Sequence, residues 1–525
     1  HRDLHSFPTR RSSDLALSNI LSFCGFEVIK SNLINDRGIH ICKSMLAYKK
    51  WGNGVTPESS GEKGDHLVGR FYVMFENKLK EEKKEFASQK NIDLYKFDSE
   101  YEKKLKQNIR ESKDPKEKED LKKELRSIKE ESEKFEQEFL EKSKYYQEAM
   151  EYLRLWEQGD KEIRNLWETM NSWVLEGFKK TYDILGCKFE KIYRESDTYM
   201  LGKKYVEEGL NRGIFYKKDD NSIWVSAEKL QQTAPKAFEG VPLKDKLLLR
   251  ADGTSVYITQ DIGTAILKAI DFSLNRSIYV VASEQALHFK TLFAILKMME
   301  FPWADGCYHF SYGMVTLPHG MGKIKSREGT AVDADDLVYE MKERVKEKMV
   351  EENFRVPQEK IEQTSLDIAL AALKVFILQV SVEKDIQFDP NKSIEFQGDT
   401  GPAIQYSYAR ISSIFRKASE QGINITDYEK IDYALLDSQE ENELIRELSE
   451  FQNIIASTCK SYNIGLLVNY LLSITKLYAS VYAAYPVLKA ETESLKYARL
   501  ALAKATAQEI FNGMTLLGNS VPESM

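Results

Sequence analysis

Residues 77–150 carry an unusually dense and evenly balanced set of charges. Of these 74 residues, 40 are charged, with 20 Lys and Arg against 20 Asp and Glu. Such a balanced charge pattern has little apolar stripe to bury, and i,i+4 ion pairs favour long solvated helices. Pro115 interrupts the run, so we predict two antiparallel helices. The simpler interpretation is a solvated helical insertion; the alternative is a specific RNA or protein contact, which the balanced charge does not favour.

The composition of the whole chain is that of a folded protein with several domains. Among 525 residues, 42% are hydrophobic and 30% are charged, which excludes wholesale disorder and a membrane-embedded protein. Because the net charge is −7, a nucleic-acid partner would need a local basic surface. The five cysteines form no CxxC pair, so the sequence suggests neither a metal site nor a disulfide framework, and it fits a reducing compartment.

Helical and strand patterns alternate on both sides of the charged segment. Gly25 is expected to end an amphipathic helix and to lead into a strand at 26–29, and 277–281 reads as a buried strand. Residues 361–380 form a long apolar helix pattern. From Asn391 onward the pattern is helical almost throughout, which predicts a separate all-α domain. Its helices are expected near 401–421, 439–459, 463–484 and 490–517.

The first fifteen residues differ from the text that follows them. They are rich in Arg and Ser, and they show no apolar period. The absence of an apolar core excludes a secretory signal. We interpret residues 1–15 as a non-native, adapter-like segment and expect the native fold to begin at Ala16, with the first strand of its α/β domain missing.

Four separated segments carry candidate chemistry, and the first two place polar groups beside an α/β sheet. In residues 250–265, Tyr257 and Asp261 are four apart, so a helix would present both on one face. In residues 279–289, Glu284 and Gln285 follow the expected strand, at the end where ligand crevices lie in open α/β sheets. The simpler alternatives are a surface pair and ordinary residues that begin a helix.

The other two segments suggest a phosphate-binding loop and a helix with RNA-binding potential. Residues 322–337 contain a Lys/Ser/Arg/Gly loop that could wrap a polyphosphate, although it could also be an ordinary polar turn. Residues 396–418 begin the all-α domain and carry Tyr406, Tyr408, Arg410 and Arg416. Tyrosines at such positions are more often core residues than RNA contacts.

In their order and in their sequences, these segments together resemble arginyl-tRNA synthetases, which are class I aminoacyl-tRNA synthetases. The stretches SNLINDRGIHICKSMLAYKKWGNG, ESDTYMLGK and AYPVLKAETESLKYARLALAKATAQEIFNGMTLLG agree as well. The resemblance covers nearly all of 16–525 apart from the insertion, and it implies an α/β fold with a Rossmann-type catalytic domain, a long helical insertion and an all-α anticodon-binding bundle. The implied boundaries are 16–76 for the first part of the catalytic domain, 77–155 for the charged insertion, 156–390 for the continued catalytic domain, and 391–525 for the bundle.

The resemblance also implies a function and its residues. Members of this family activate L-arginine with ATP and transfer it to tRNA(Arg); the expected protein is a cytoplasmic monomer that uses ATP with Mg²⁺, binds neither DNA nor membrane, and supplies no metal ligands. Tyr257, Asp261 and Gln285 match the positions that hold arginine, with Asp261 opposite the guanidinium. The implied ATP and pyrophosphate loop consists of Lys323, Lys325, Ser326 and Arg327. The implied tRNA contacts are Tyr482, Arg410, Arg416, Arg499 and Met525.

Two departures from the family pattern lead to an alternative. The phosphate-binding His-x-Gly-His element should lie just before Ala16, where the adapter-like text stands. In the mobile loop, Ser326 occupies the position of the second lysine of the Lys-Met-Ser-Lys-Ser pattern. We therefore expect an N-terminally truncated ligase; the alternative is a tRNA-binding fragment without ligase activity.

Overall fold

The computed structural model describes residues 11–313, 315–316, 334–354, 356–425 and 427–525. These residues form two compact units. The large unit contains 11–33, 181–193 and the described residues from 197 onward, and the small unit contains 34–180 and 194–196.

In chain order the elements are α1 (Arg11–Phe23), β1 (Ser31–Ile34), α2 (Ile39–Trp51), α3 (Pro57–Ser60), α4 (Gly64–Gln89), α5 (Ser99–Glu111), α6 (Pro115–Lys142), α7 (Lys144–Gln158), α8 (Lys161–Leu185), β2 (Lys191–Arg194), α9 (Glu195–Asn211), β3 (Tyr216–Lys217), β4 (Ile223–Val225), α10 (Ala227–Thr233), β5 (Lys246–Leu249), α11 (Tyr257–Phe272), β6 (Ser277–Ala282), α12 (Ala286–Met298), β7 (Cys307–Tyr312), β8 (Val315–Thr316), α13 (Ala334–Glu351), α14 (Ile361–Gln379), β9 (Ile386–Gln387), α15 (Pro390–Ser393), α16 (Gly401–Glu420), α17 (Gln439–Ser449), α18 (Phe451–Ser461), α19 (Gly465–Ala484) and α20 (Glu493–Leu516).

The small unit is built from α2, α4, α6, α7 and most of α8. Its core contains the buried Leu46, Phe71 and Phe139, and Tyr48 meets the Phe71 ring edge-on at 5.3 Å. The charged segment has more helices than the predicted two, because a 3-10 turn at Leu94–Phe97 adds a break before Pro115. The break at Pro115 is confirmed: Pro115 occupies the first turn of α6, and Asp114 caps that helix.

The large unit begins with an α/β part whose strands belong to small sheets. β6 runs parallel to β7, with Ser277 opposite Cys307 and Ala282 opposite Tyr312. β3, β4 and β5 form an antiparallel sheet, β8 pairs with β9, and β1 pairs with β2. The strand expected at 277–281 is therefore confirmed, although its side chains are half-buried instead of fully buried.

The all-α part of the large unit follows α15, and its core joins α14, α16, α19 and α20. The buried Ile404, Leu471, Ile474 and Ile510 are all 0% exposed. Each helix contributes apolar residues at helical spacing, so the burial of these faces supplies most of its stability. The four expected helices are confirmed, except that Glu450 divides the one expected at 439–459 into α17 and α18.

The N-terminal part of the large unit differs from expectation in two respects. Gly25 does end α1, with φ +88°, but the following strand is 31–34 and not 26–29. Residues 11–15, expected to lie apart from the fold, form the first turn of α1, and Leu15 is 8% exposed. Residues 1–10 of the same expected segment lie outside the described residues.

Within the part of the chain that the structure describes, one segment, Gly465–Lys489, is long and apolar enough to cross a membrane by length and composition alone. It contains α19, which lies in the core of the bundle. An apolar core helix passes the same test, so this feature is weak evidence of a membrane span.

Candidate functional site

A tight turn determines where α11 begins. Asp252 accepts hydrogen bonds from the backbone N–H of Thr254 (2.9 Å) and from its hydroxyl (2.7 Å), and these bonds hold the pKa of Asp252 below its usual value. Arg250 donates to the carbonyl of Ser255 at 3.0 Å. Gly253 has φ +77°, a conformation that glycine adopts without a steric penalty. The Arg-Ala-Asp-Gly-Thr text is therefore a turn that leads from β5 into α11.

α11 is anchored through one apolar face. Ile258 and Ile262 are 1% exposed, whereas Tyr257, at the first position of the helix, is 69% exposed. The expected helix is confirmed, and so is the placement of Tyr257 and Asp261 one turn apart on it. A Cβ at Gly263 would lie 2.6 Å from the backbone nitrogen of Gly202, so the glycine allows α9 to approach closely and fix α11.

Asp261 is held against the first turn of α12. Nε2 of His288 donates to Oδ2 of Asp261 at 2.6 Å, and the two side chains are 20% and 26% exposed. Gln285 caps α12, three residues before His288 and directly after the 3-10 turn that follows β6. The structure therefore brings Asp261 to the helix turn that Gln285 begins, at the C-terminal end of a parallel strand pair.

Sequence reasoning did not assign His288 a role. The signal that could have found it is its spacing, because residues three apart lie on the same side of a helix. No local sequence pattern indicates the contact of His288 with Asp261, because the two residues are 27 positions apart in the chain.

An aromatic cluster supports His288 from behind. The His288 ring meets Phe289 edge-on at 5.5 Å, and Phe289 stacks on His309 at 4.7 Å. Nε2 of His309 donates to the carbonyl of Val281 at 3.0 Å, and burial lowers the pKa of His309. This packing ties the first turn of α12 to β6 and β7.

A lysine adds positive charge near Asp261. Lys268 lies two turns further along α11, and its ammonium is 4.6 Å from the centroid of the Tyr279 ring. Burial lowers the pKa of Lys268 to about 8, while the negative charge of Asp261 acts in the opposite direction. The region can therefore hold a cation beside Asp261 while a second positive charge remains nearby.

The predicted phosphate loop cannot be placed in this geometry. Lys323, Lys325, Ser326 and Arg327 all lie outside the described residues.

In the bundle, two of the predicted tRNA contacts meet. The Arg410 guanidinium lies 4.8 Å from the Tyr406 ring centroid and 4.9 Å from that of Tyr482. Tyr482 is 37% exposed. Arg410 thus lies between two aromatic rings, and one of these rings keeps an accessible face.

Two other predicted tRNA residues hold the end of the chain. Arg416 donates to the carbonyl of Glu523 at 3.2 Å, and Met525 packs, partly buried, against the core that α13 and α14 share. Two further residues bond the C-terminal tail, residues 518–525. Lys374 donates to the carbonyl of Gly518, and Gln405 donates to the carbonyl of Ser520. Arg416 and Met525 therefore hold the C-terminal tail against the rest of the large unit.

The structure gives Arg499 a role that differs from the predicted phosphate contact. Its Nε donates to Oε1 of Glu441 at 2.8 Å, and the side chains of Arg499 and Glu441 are 12% and 0% exposed. Because Glu441 is a buried carboxylate that needs a charged partner, Arg499 is committed to the interior of the bundle. Sequence spacing gave no sign of this pair, whose members are 58 positions apart.

Two protein-family models match the chain. Residues 103–389 match the model of the class I tRNA synthetase (R) catalytic domain, and residues 404–525 match that of the DALR anticodon binding domain. The first match contains the Asp261 region, and the second contains the bundle and its tail.

Solved structures show the same fold. The structure resembles Thermus thermophilus arginyl-tRNA synthetase with a TM-score of 0.69 and 22% identity, covering 98% of this chain and 79% of that one. For the Plasmodium falciparum arginyl-tRNA synthetase, the TM-score is 0.67 with 18% identity, and the coverage is 98% and 73%.

Curated relatives are much more similar in sequence. An arginine–tRNA ligase of Parabacteroides distasonis and one of Bacteroides thetaiotaomicron are each 44% identical over 512 residues, which is 97% of this chain and 76% of each relative. With both family models in place and this identity along the chain, the protein belongs to the arginyl-tRNA synthetases, with a class I catalytic domain and a helical DALR anticodon-binding domain.

Proposed function

We propose that this chain activates L-arginine with ATP, and that it binds the arginine side chain at Asp261. The hydrogen bond between Asp261 and His288 is the observation that carries the site. It fixes a carboxylate at the C-terminal end of the parallel pair β6 and β7, where α/β folds bind ligands. The resulting arginyl-adenylate then donates its arginyl group to the terminal adenosine of tRNA(Arg).

The chemistry of the residues supports this assignment. A guanidinium is a planar fork of donors, which a carboxylate and neutral acceptors satisfy best. Asp261 supplies the carboxylate, Tyr257 an exposed phenol and Gln285 an amide at the start of α12. These groups hold the substrate and do not react with it.

Activation itself needs no nucleophile from the protein. The arginine carboxylate attacks the α-phosphate of ATP, and pyrophosphate leaves, so the protein acts by positioning and by stabilising phosphate charge. We propose Lys323, Lys325, Ser326 and Arg327 for the phosphates on the basis of the sequence alone. Mg²⁺ is proposed as a companion of the ATP phosphates, because this ion keeps water and phosphate oxygens in preference to an all-protein cage.

For tRNA recognition, the accessible face at Tyr482 is the strongest candidate. Unpaired bases stack on aromatic side chains, and a neighbouring guanidinium strengthens such a platform. Arg410 lies against Tyr482 and supports that role. Arg416 and Met525 would act more indirectly, by keeping the tail beside this platform.

The remaining proposals concern the state of the protein. A cytoplasmic, monomeric enzyme without DNA or membrane partners agrees with five free cysteines, which suit a reducing compartment. It also agrees with a net charge of −7, which gives no general attraction to polyanions.

Substitution of Asp261 tests the arginine site. Asp261→Asn should weaken arginine use by about 1.5–3 kcal/mol, because a charge-assisted bond is lost, and should leave ATP use nearly unchanged. The assay is tRNA-dependent pyrophosphate exchange as a function of arginine and of ATP concentration. Asp305→Asn is the matched control, since Asp305 is 86% exposed and pairs only with Lys297 among the described residues. Unchanged arginine kinetics in Asp261→Asn would remove Asp261 from the site.

An assay of the unmodified chain distinguishes the ligase from the alternative of a tRNA-binding fragment. The purified chain is tested for arginine attachment to tRNA(Arg) and for tRNA retention on a filter at low and high salt. Charging supports the ligase, whereas retention that falls with salt and occurs without charging supports the fragment. Absence of both would contradict both functions.

A further inference from the structure

We propose that His288 is a positioning residue for arginine recognition, because it fixes the orientation of the Asp261 carboxylate before the substrate arrives. This inference rests on the proposed function of Asp261. Within the described part of the chain, His288 is the one hydrogen-bond partner of that carboxylate. The bond occupies Oδ2 and leaves Oδ1 without a partner there.

A carboxylate can keep this bond and still bind a guanidinium. Its two oxygens offer about four acceptor positions, so one N–H from His288 leaves enough capacity for a fork of two further donors. The plane of the carboxylate determines where such a fork can bind. A bond that fixes the plane in advance lowers the cost of ordering Asp261 when arginine binds.

The orientation of His288 is itself determined by packing. The ring lies edge-on to Phe289, whose own side chain is 6% exposed and stacks on His309. His288 also lies within the first turn of α12, the helix that Gln285 caps. A side chain held on two sides in this way can act as a fixed donor.

The charged and titratable groups around Asp261 leave this task to His288. Lys268 interacts with Asp261 only through its charge and makes no ion pair with it, since its ammonium lies over Tyr279. Tyr279 on β6 is half-buried, and His309 on β7 bonds a carbonyl. Of these groups, His288 alone donates a hydrogen bond to the carboxylate.

The test is calorimetric binding of L-arginine to the full chain and to three variants of His288. His288→Gln keeps a donor where Nε2 lies, His288→Asn has a donor that is too short to reach, and His288→Leu has none. We expect the Gln variant to bind arginine within about twofold of wild type. We expect the Asn and Leu variants to bind about five- to tenfold more weakly, which corresponds to the loss of order in one side chain.

A matched control separates orientation from general damage. Thr291→Val disturbs the buried face of the same helix, where the Thr291 hydroxyl bonds the carbonyl of Leu287, and it leaves Asp261 and the aromatic cluster in place, so its arginine affinity should equal that of wild type. In pyrophosphate exchange the Asn and Leu variants should raise the KM for arginine, with kcat and the KM for ATP nearly constant. A purely structural defect would lower kcat and weaken both substrates together.

The outcomes are distinct. If all His288 variants bind like wild type, or if the Gln variant is as weak as the Leu variant, the inference is overturned. An equal loss in Thr291→Val also overturns it. If wild type binds no arginine, the proposed arginine site fails first, and the inference fails with it. The Asn and Gln variants are both polar, so the comparison stands even if His288→Leu does not fold.

Discussion

α6 and α19 are both long helices, but they are stabilised in opposite ways. α6 has 28 residues and buries two of them, Phe135 and Phe139. α19 has 20 residues and buries ten. α6 depends on its cap and on ion pairs within and between helices, such as Lys129 with Glu102 at 3.0 Å. A helical sequence pattern can therefore produce either a solvated helix or a core helix. Only the burial of an apolar face makes a helix part of the tertiary fold.

A core substitution in α19 should produce the largest effect. Leu471 is 0% exposed, and Gly513 of α20 faces it so closely that a Cβ there would lie 2.6 Å from Leu471 Cδ2. Leu471→Ala should lower the free energy of unfolding by about 2–5 kcal/mol, because packing is lost and a cavity remains. Hydrogen exchange in peptides from α19 gives the local value.

A leucine in α6 is the matched control for that experiment. Leu125 is half-buried on a helix that lies mostly in solvent. Leu125→Ala should cost less than about 1 kcal/mol in exchange measured on α6. Equal losses in the two helices would contradict the comparison.

A buried lysine offers a pH-dependent test of the same contrast. Lys374 on α14 is 2% exposed, and burial lowers its pKa to about 8, although the charges of Cys187 and Asp367 oppose the shift. An unfolded lysine has a pKa near 10.5. Between pH 8 and 10.5 the unfolded chain therefore binds more protons, so the free energy of unfolding should rise with pH, by up to about 3 kcal/mol.

Lys374→Met isolates this contribution. The variant fills the same volume without a titrating group, so it should lack the extra rise in stability between pH 7.5 and pH 10. Other groups that titrate in this range cancel when the two proteins are compared at each pH. Parallel curves for wild type and variant would show that the ammonium is not destabilised by burial.

The tip of the charged segment should be dispensable, but its base should not. Residues 98–134 can be replaced by a short Gly/Ser linker, because the rings that flank the cut, Phe97 and Phe135, are 5.6 Å apart. We expect the shortened chain to unfold at nearly the wild-type midpoint, since loop changes cost little. Replacing 80–145 would remove Phe86 and Phe139 from the core of the small unit and should destabilise that unit. Circular dichroism of both variants provides the measurement, and loss of the transition in the shorter replacement would contradict the prediction.

The same contrast explains how much the sequence could predict. The helix expected at 463–484 is Gly465–Ala484 in the structure, because its apolar residues recur at the helical period. The strand expected at 26–29 is wrong because a strand needs a partner: β1 pairs with β2, which lies far along the chain. The high charge of this segment likewise gave no indication that Phe135 and Phe139 are buried.

The candidate site divides in the same way. Helical spacing was enough to place Tyr257 and Asp261 on one face of α11. The partner of Asp261 and the pair of Arg499 with Glu441 depend on how separate helices pack, which no local pattern encodes. Sequence therefore predicts which residues share an element, and tertiary structure decides which of them remain available for a ligand.

The smallest effect is expected for an exposed ion pair in the charged segment. Lys129 is 52% exposed and pairs with Glu102, whose pKa is lowered by its hydrogen bonds with Lys106 and Lys129. Lys129→Met makes the same chemical change as Lys374→Met, but water surrounds both partners and Lys106 still pairs with Glu102. Because solvent and salt screen such pairs, the unfolding midpoint of the small unit should not move measurably at 0.15 M salt, at either pH 7.5 or pH 10. A shift as large as that of Lys374→Met would mean that ion pairs, and not burial, hold the charged helices in place.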